Sequence, residues 1–331
     1  MRKGRRRRPE RNDVRPANGT AFAAIDLGTN NCRLLVAMPE TDGSLRIVDS
    51  FSRIVRLGEH VALTGRLTEA AMDRTVAALK ICAAHIARHG RPRVRAVATE
   101  ACRQAENANV LVARAEREAG IRLDVVSAAE EARLAALGCA PLMGDGYDGA
   151  LVFDIGGGST ETVWLKRENG VPKLLRFASV PVGVMSLAET ESGDSYDEMY
   201  AHMVKRFAAV RRDMDAAAPF DPVRNHLLGT SGTVTTLAGI ALNLPHYVRA
   251  KVDGTWHDSA AMAKVVEKLT KLDRGARASL GCVGEERADL IVPGCAIYNA
   301  IETLWPCARL RVADRGLREG ILRDLMTEEM G

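Results

Sequence analysis

Aromatic residues are scarce, 4% of the 331, and they do not interleave with the basic stretches. That argues against a surface that grips single-stranded nucleic acid by stacking. No C-x-x-C pair occurs, and the seven cysteines (Cys32, Cys82, Cys102, Cys139, Cys282, Cys295, Cys307) are scattered and odd in number. Neither a disulfide framework nor a structural zinc site is therefore expected, and the thiols read as small buried apolar groups of a reducing compartment. Charge interrupts every apolar stretch well before the roughly 20 residues of a spanning helix, and the N-terminus lacks the apolar core of a signal peptide. A cytoplasmic protein without a membrane partner is expected. Also missing are G-x-x-x-x-G-K-[ST] and G-x-G-x-x-G, the fingerprints of two common nucleotide folds.

What is present starts with size. A chain of 331 residues, 47% hydrophobic, can bury a large core and suggests about two domains. The net charge of +4 is unevenly placed: residues 1–20 carry eight basic side chains against Glu10 and Asp13, so the remainder is slightly acidic. This arginine-rich arm reads as a disordered, solvated tail without a catalytic role; any contact with nucleic acid or another polyanion would run through it.

Strand patterns over 22–25, 32–37 and 45–53 are followed by a helix whose apolar positions Met72, Val76, Leu79, Ala83 and Ile86 recur at three and four, stopping at Gly90. Strand and helix then alternate: a strand over 94–98, a helix ending near Gly120, a strand over 123–126 and a helix ending near Gly138. The order is βββαβαβ and then α. It starts again with strands over 150–153, 160–166 and 174–180. A helix follows, with Ser195 and Glu198 as a capping box and Met199, Met203, Phe207, Val210 and Met214 as its stripe. A strand over 226–228, a helix from Thr233, further helical sequence, a strand over 310–312 and a helix from Leu317 complete the pattern. Two copies of one topology imply two similar α/β lobes with a cleft between them, where small ligands usually sit.

Each copy opens with one device, an apolar strand that delivers a carboxylate and then turns on glycine. These are Ala24-Ile25-Asp26-Leu27-Gly28-Thr29-Asn30 and Phe153-Asp154-Ile155-Gly156-Gly157-Gly158-Ser159-Thr160-Glu161. Glycine lets backbone N–H groups approach an anion, and the aspartate suits magnesium or its waters. An ordinary glycine turn explains one such loop, but its recurrence at the same topological place favours a phosphate site. A third loop, Gly229-Thr230-Ser231-Gly232-Thr233, opens a helix and suits a phosphate too, although a plain N-cap explains it almost as well. In Ser127-Ala128-Ala129-Glu130-Glu131, Ser127 as N-cap gives Glu130 a capping-box job. Glu131 is left over about 100° further round, either solvated or able to deprotonate a water. His85 and His89 stand four apart on a helix with no H-E-x-x-H, and read as a solvent-facing pair.

These runs, together with Ala98-Thr99-Glu100-Ala101-Cys102-Arg103-Gln104-Ala105 and Asp314-Arg315-Gly316-Leu317-Arg318-Glu319-Gly320, resemble in order the motifs of the Ppx/GppA family of exopolyphosphatases and guanosine pentaphosphate phosphohydrolases. The resemblance spans nearly everything after residue 20. It implies duplicated actin-like, ribonuclease H-like domains of the sugar kinase/hsp70/actin superfamily. It further implies a hydrolase that releases the terminal phosphate of inorganic polyphosphate or guanosine pentaphosphate with Mg2+. The roles it carries over are Glu131 as base, Asp154 and Glu161 as catalytic carboxylates, and these two with Asp26 on the metal. Gly28, Asn30, Arg103, Gly156, Gly157, Gly158, Ser159, Ser231, Gly232 and Thr233 would line the phosphates. Domains are expected at 21–137 and 138–331, with the helix at about 317–331 a candidate to pack back on the first. Many family members carry extra C-terminal helical domains thought to hold long polyphosphate, and many dimerise, so a homodimer is an open expectation here. An ATP-dependent kinase or ATPase of the superfamily and a non-catalytic polyphosphate or alarmone binder remain the competing readings.

Overall fold

A computed structural model describes residues 20–41, 44–190 and 195–330; the basic arm, apart from Thr20, lies outside them. The first sheet contains β1 (Phe22–Leu27), β2 (Asn31–Pro39), β3 (Leu45–Ile54), β4 (Arg93–Ala98) and β5 (Leu123–Val125), in the order β3-β2-β1-β4-β5. The second contains β6 (Gly149–Ile155), β7 (Thr160–Glu168), β8 (Val171–Val180), β9 (Asn225–Thr230), β10 (Trp256–Asp258) and β11 (Arg309–Val312), in the order β10-β11-β9-β6-β7-β8. Read from β8 inward, the second sheet repeats the first strand for strand: an antiparallel hairpin pair, then parallel neighbours. This is the duplicated, actin-like α/β fold. The added β10 runs antiparallel on the edge beside β11; sequence reading had assigned that stretch to helix.

β1 and β6 are central because both of their faces are apolar. Ala23, Ile25 and Leu27 enter one core cluster, while Phe22 and Ala24 enter another on the opposite face. β6 divides in the same way, Leu151, Phe153 and Ile155 to one side and Ala150 and Val152 to the other. The period-2 alternation of a strand thus serves two layers at once.

Helix Glu69–Ala87 starts where the Thr68 side chain accepts the Ala71 N–H, and it buries Met72, Val76, Leu79 and Ile86. It ends three residues before Gly90, which is left-handed (φ 80°). His85 on this helix and His89 in the turn just after it are not a solvent-facing pair: both rings hydrogen-bond Oδ2 of Asp49 on β3, at 3.0 and 3.1 Å. Helix Tyr196–Ala217 carries the expected capping box in full, with Ser195 and Glu198 bonded reciprocally. At helix Ala128–Cys139 only half of such a box forms. Ser127 Oγ accepts the Glu130 N–H at 3.2 Å, but the Glu130 carboxylate turns to Arg95 and Arg133 instead of back to the cap.

Helix Leu317–Met330 follows β11 of the second sheet yet packs on the first. Leu317, Ile321, Leu322, Leu325 and Met326 cover Phe22, Ala24, Leu35, Ala37, Val97 and Val126. It runs against helix Ala128–Cys139 so closely that a Cβ at Gly320 would lie 1.8 Å from the Leu134 carbonyl oxygen, and one at Gly138 2.0 Å from that of Gly316. All seven cysteines are free thiols, six of them buried. Among the described residues, no helix is long and apolar enough to cross a membrane.

Candidate active site

The β1–β2 and β6–β7 turns are built alike. Gly28 N–H donates to the Asn31 carbonyl at 2.9 Å, and Gly156 N–H to the Ser159 carbonyl at 3.0 Å. The strand registers set Asp26 opposite Arg33 in the first hairpin and Asp154 opposite Glu161 in the second. The two tips meet across the cleft. A Cβ at Gly157 would stand 3.2 Å from the Asn30 nitrogen, and one at Gly158 2.7 Å from Thr29 Oγ1, so these glycines are required for the approach of the opposite hairpin.

The third loop ends in Ser231, which starts helix Ser231–Ala241 at φ 76°, a left-handed conformation rare outside glycine and concentrated at functional sites. The N-cap Thr230 makes no side-chain cap bond to this helix; its Oγ1 donates to the Arg315 carbonyl at 2.8 Å. The helix N-terminus, with its positive dipole end, borders the cleft and suits an anion.

One cavity is lined by Asp26, Gly28, Asn30, Glu131, Asp154, Gly156, Gly157, Gly158, Ser159, Glu161, Ser231, Gly232 and Thr233. Of the site residues the resemblance implied, Arg103 alone is absent from that lining. Its guanidinium is taken up by Glu100, by the Val126 carbonyl and by Glu131, whose Oε2 receives Nη1 at 2.6 Å. Glu131 is correspondingly neither solvated nor unpaired, as sequence alone allowed, but half of an ion pair 13% exposed. No described residue bonds its Oε1.

Burial dominates the electrostatics. It raises Asp154 to about 6 against the lowering effect of Arg33, with Asp26 adding to the rise. Glu161, facing Asp154, is raised to about 7 despite hydrogen bonds with Ser159 and Ser179. Glu131 is pushed well above the carboxylate range by burial and by Glu161, with Arg103 opposing, and burial raises Asp26. Among the described residues no group of three or more His, Cys, Asp or Glu side chains is arranged to hold a metal ion on its own. Among the described residues the buried Asn30 Oδ1 has no hydrogen-bond partner.

A second cavity of about 340 Å³ adjoins the first at Asp26, Asp154 and Ser231; sequence reading quoted Arg315 and Arg318 within a motif but gave none of its arginines a role. Arg249 and Arg315 there are paired with Glu319 and Asp253, whereas Arg33, Arg287 and Arg318 make no ion pair with a carboxylate among the described residues. For Arg33 a signal was available: Asp26 to Arg33 is the same seven-residue step as Asp154 to Glu161.

The sequence pattern of the Ppx/GppA phosphatase family matches residues 36–329. Exopolyphosphatase 2 of Mycobacterium tuberculosis is 32% identical over 293 residues, 85% of this chain and 90% of that one. The crystal structure of the Aquifex aeolicus member of the Ppx/GppA family superposes with a TM-score of 0.78 at 30% identity, covering 94% of this chain and 99% of that one. An exopolyphosphatase from Cytophaga hutchinsonii superposes at 0.83 with 25% identity, covering 93% and 98%. On a match that runs from β2 to the helix after β11, the chain belongs to the Ppx/GppA phosphatase family and is a hydrolase of phosphoanhydrides.

Proposed function

We propose that the cleft removes the terminal phosphate of inorganic polyphosphate or of guanosine pentaphosphate by in-line attack of water. The observation that carries this reading is the half-engaged Glu131: one oxygen is held by Arg103 while the other, unbonded, belongs to a side chain lining a cavity otherwise made of glycine turns and a helix N-terminus. Backbone N–H groups of 156–158 and 231–233, with Asn30, Ser159 and Thr233, would hold the terminal phosphoryl oxygens. Glu131 Oε1 would take the proton of a water whose oxygen attacks phosphorus, and the shortened chain would leave. A carboxylate lifted toward neutrality is a stronger base, which suits this role. The remaining substrate phosphates would extend toward Arg33, Arg287 and Arg318, whose guanidinium groups match phosphate oxygens.

Magnesium fits the donors. Asp154 and Glu161 present carboxylates directly opposite one another with no cationic side chain among the described residues bonded to either, and Asp26 lines the same cavity. Magnesium is usually held by one or two carboxylates, with water and substrate phosphates completing the octahedron. When bound, such an ion supplies neutralisation of charge on the phosphoryl oxygens.

Glu131→Gln is expected to retain substrate binding and lose about 10²–10⁴ in turnover. Glu130→Gln should lose mainly stability, since Glu130 bridges Arg95 and Arg133. Phosphate release from polyphosphate, guanosine pentaphosphate and ATP, side by side with magnesium, checks both substrate and roles. Equal turnover of the two variants would overturn the assignment, and ATP as the one substrate cleaved would replace this reading with an ATPase.

A further inference from the structure

Glu100 opens the short helix Glu100–Gln104 behind the cleft, and it is a buried carboxylate that does not line the cavity where the reaction is placed. A carboxylate kept out of water is costly unless paired and hydrogen-bonded. Glu100 is both. Its Oε2 accepts Nε of Arg103 at 2.9 Å and also Nη2, and its Oε1 accepts Nε2 of Gln104 at 2.6 Å. Arg103 is thereby divided. Its Nε–Nη2 edge faces Glu100, and only Nη1 is left for the other side, shared between the Val126 carbonyl at 3.1 Å and Glu131 Oε2 at 2.6 Å.

A guanidinium beside a single carboxylate tends to fork onto it with two parallel N–H bonds. Such a fork on Glu131 would occupy the oxygen that is unbonded here. The other charged groups facing Glu131 are Glu161 and Asp26, both carboxylic, so Arg103 is the cation that can do this. We infer that Glu100 is a positioning residue: by holding the Nε–Nη2 edge of Arg103 it restricts Glu131 to one N–H contact and keeps Oε1 available to the attacking water. This rests on the reading of Glu131 as the base.

The test is steady-state kinetics on whichever of the three substrates the wild-type chain cleaves, with circular-dichroism melts alongside. Glu100→Gln keeps the shape and removes the charge. It should lower kcat by up to about 10²-fold, the penalty of a misplaced catalytic group, with KM nearly unchanged, while the melts report separately what the lost ion pair costs in stability. Glu100→Asp, shorter but still charged, should recover part of the loss. In an Arg103→Met background, the added Glu100→Gln change should cost less than about twofold, since the guanidinium it restrains is gone. Should Glu100→Gln fail to fold, Glu100→Asp against Arg103→Met supplies the same comparison. Wild-type kcat in Glu100→Gln, or an undiminished loss in the Arg103→Met background, would overturn the inference. A fully active Glu131→Gln would instead sink the assignment of the base; loss in Glu131→Gln with full activity in Glu100→Gln removes the inference alone.

Discussion

Asp154 and Glu161 show how register writes chemistry at single residues: the β6–β7 pairing brings two carboxyl groups face to face, Glu161 buried and Asp154 half-buried. Their folded-state values, about 6 and 7, stand above those of an unfolded chain. A carboxyl raised in this way favours the folded protein while protonated, and the benefit is lost as pH climbs through the folded value. Protein stripped of divalent ions should therefore melt lower as pH rises from about 4 to 8, by about 5 °C or more. Added magnesium should restore the midpoint most at the alkaline end, where both groups are ionised. Melts in chelator and in magnesium across that range check this; a midpoint in chelator indifferent to pH would contradict it. The carboxylates were legible in the sequence because the strand, acid and glycine device occurs twice. The Arg103–Glu131 and Glu130–Arg95 pairs were not, since each joins elements far apart in the chain, and local periodicity carries nothing about such partners.

Among elements, those with local signals were readable. The Ser195–Glu198 box and the buried stripe of helix Tyr196–Ala217 depend on spacings of three and four within one helix. β10, three residues long, has no period of its own and exists because the exposed edge of β11 accepts it. Helix Glu100–Gln104 is likewise too short to show a stripe. The last helix stood as a candidate to pack back on the first domain, but its contact with helix Ala128–Cys139 carried no local signal, although the glycines Gly138 and Gly320 were in plain sight. It makes a sharp prediction. Gly320→Ala would drive a methyl into the Leu134 carbonyl, so urea unfolding should report a loss of about 3 kcal/mol or more, at the upper end of overpacking costs. Near-wild-type stability would mean that the two helices separate easily.

For the whole molecule, the decisive feature is that β11 belongs to one sheet while the helix after it covers the other. Deleting residues 317–330 should bare Phe22, Ala24, Leu35 and Val97 together with the neighbouring face of helix Ala128–Cys139, leaving the first lobe aggregated or bound to a hydrophobic dye. Gel filtration and dye fluorescence of the truncated chain check this, and a monomeric, dye-silent product would count against it. The same crossover constrains biosynthesis. Strands of the first lobe leave the ribosome early, yet the apolar layer that shields them is among the late residues translated, so one flank of that sheet waits uncovered throughout elongation. Such an interval is when nascent chains most need a chaperone.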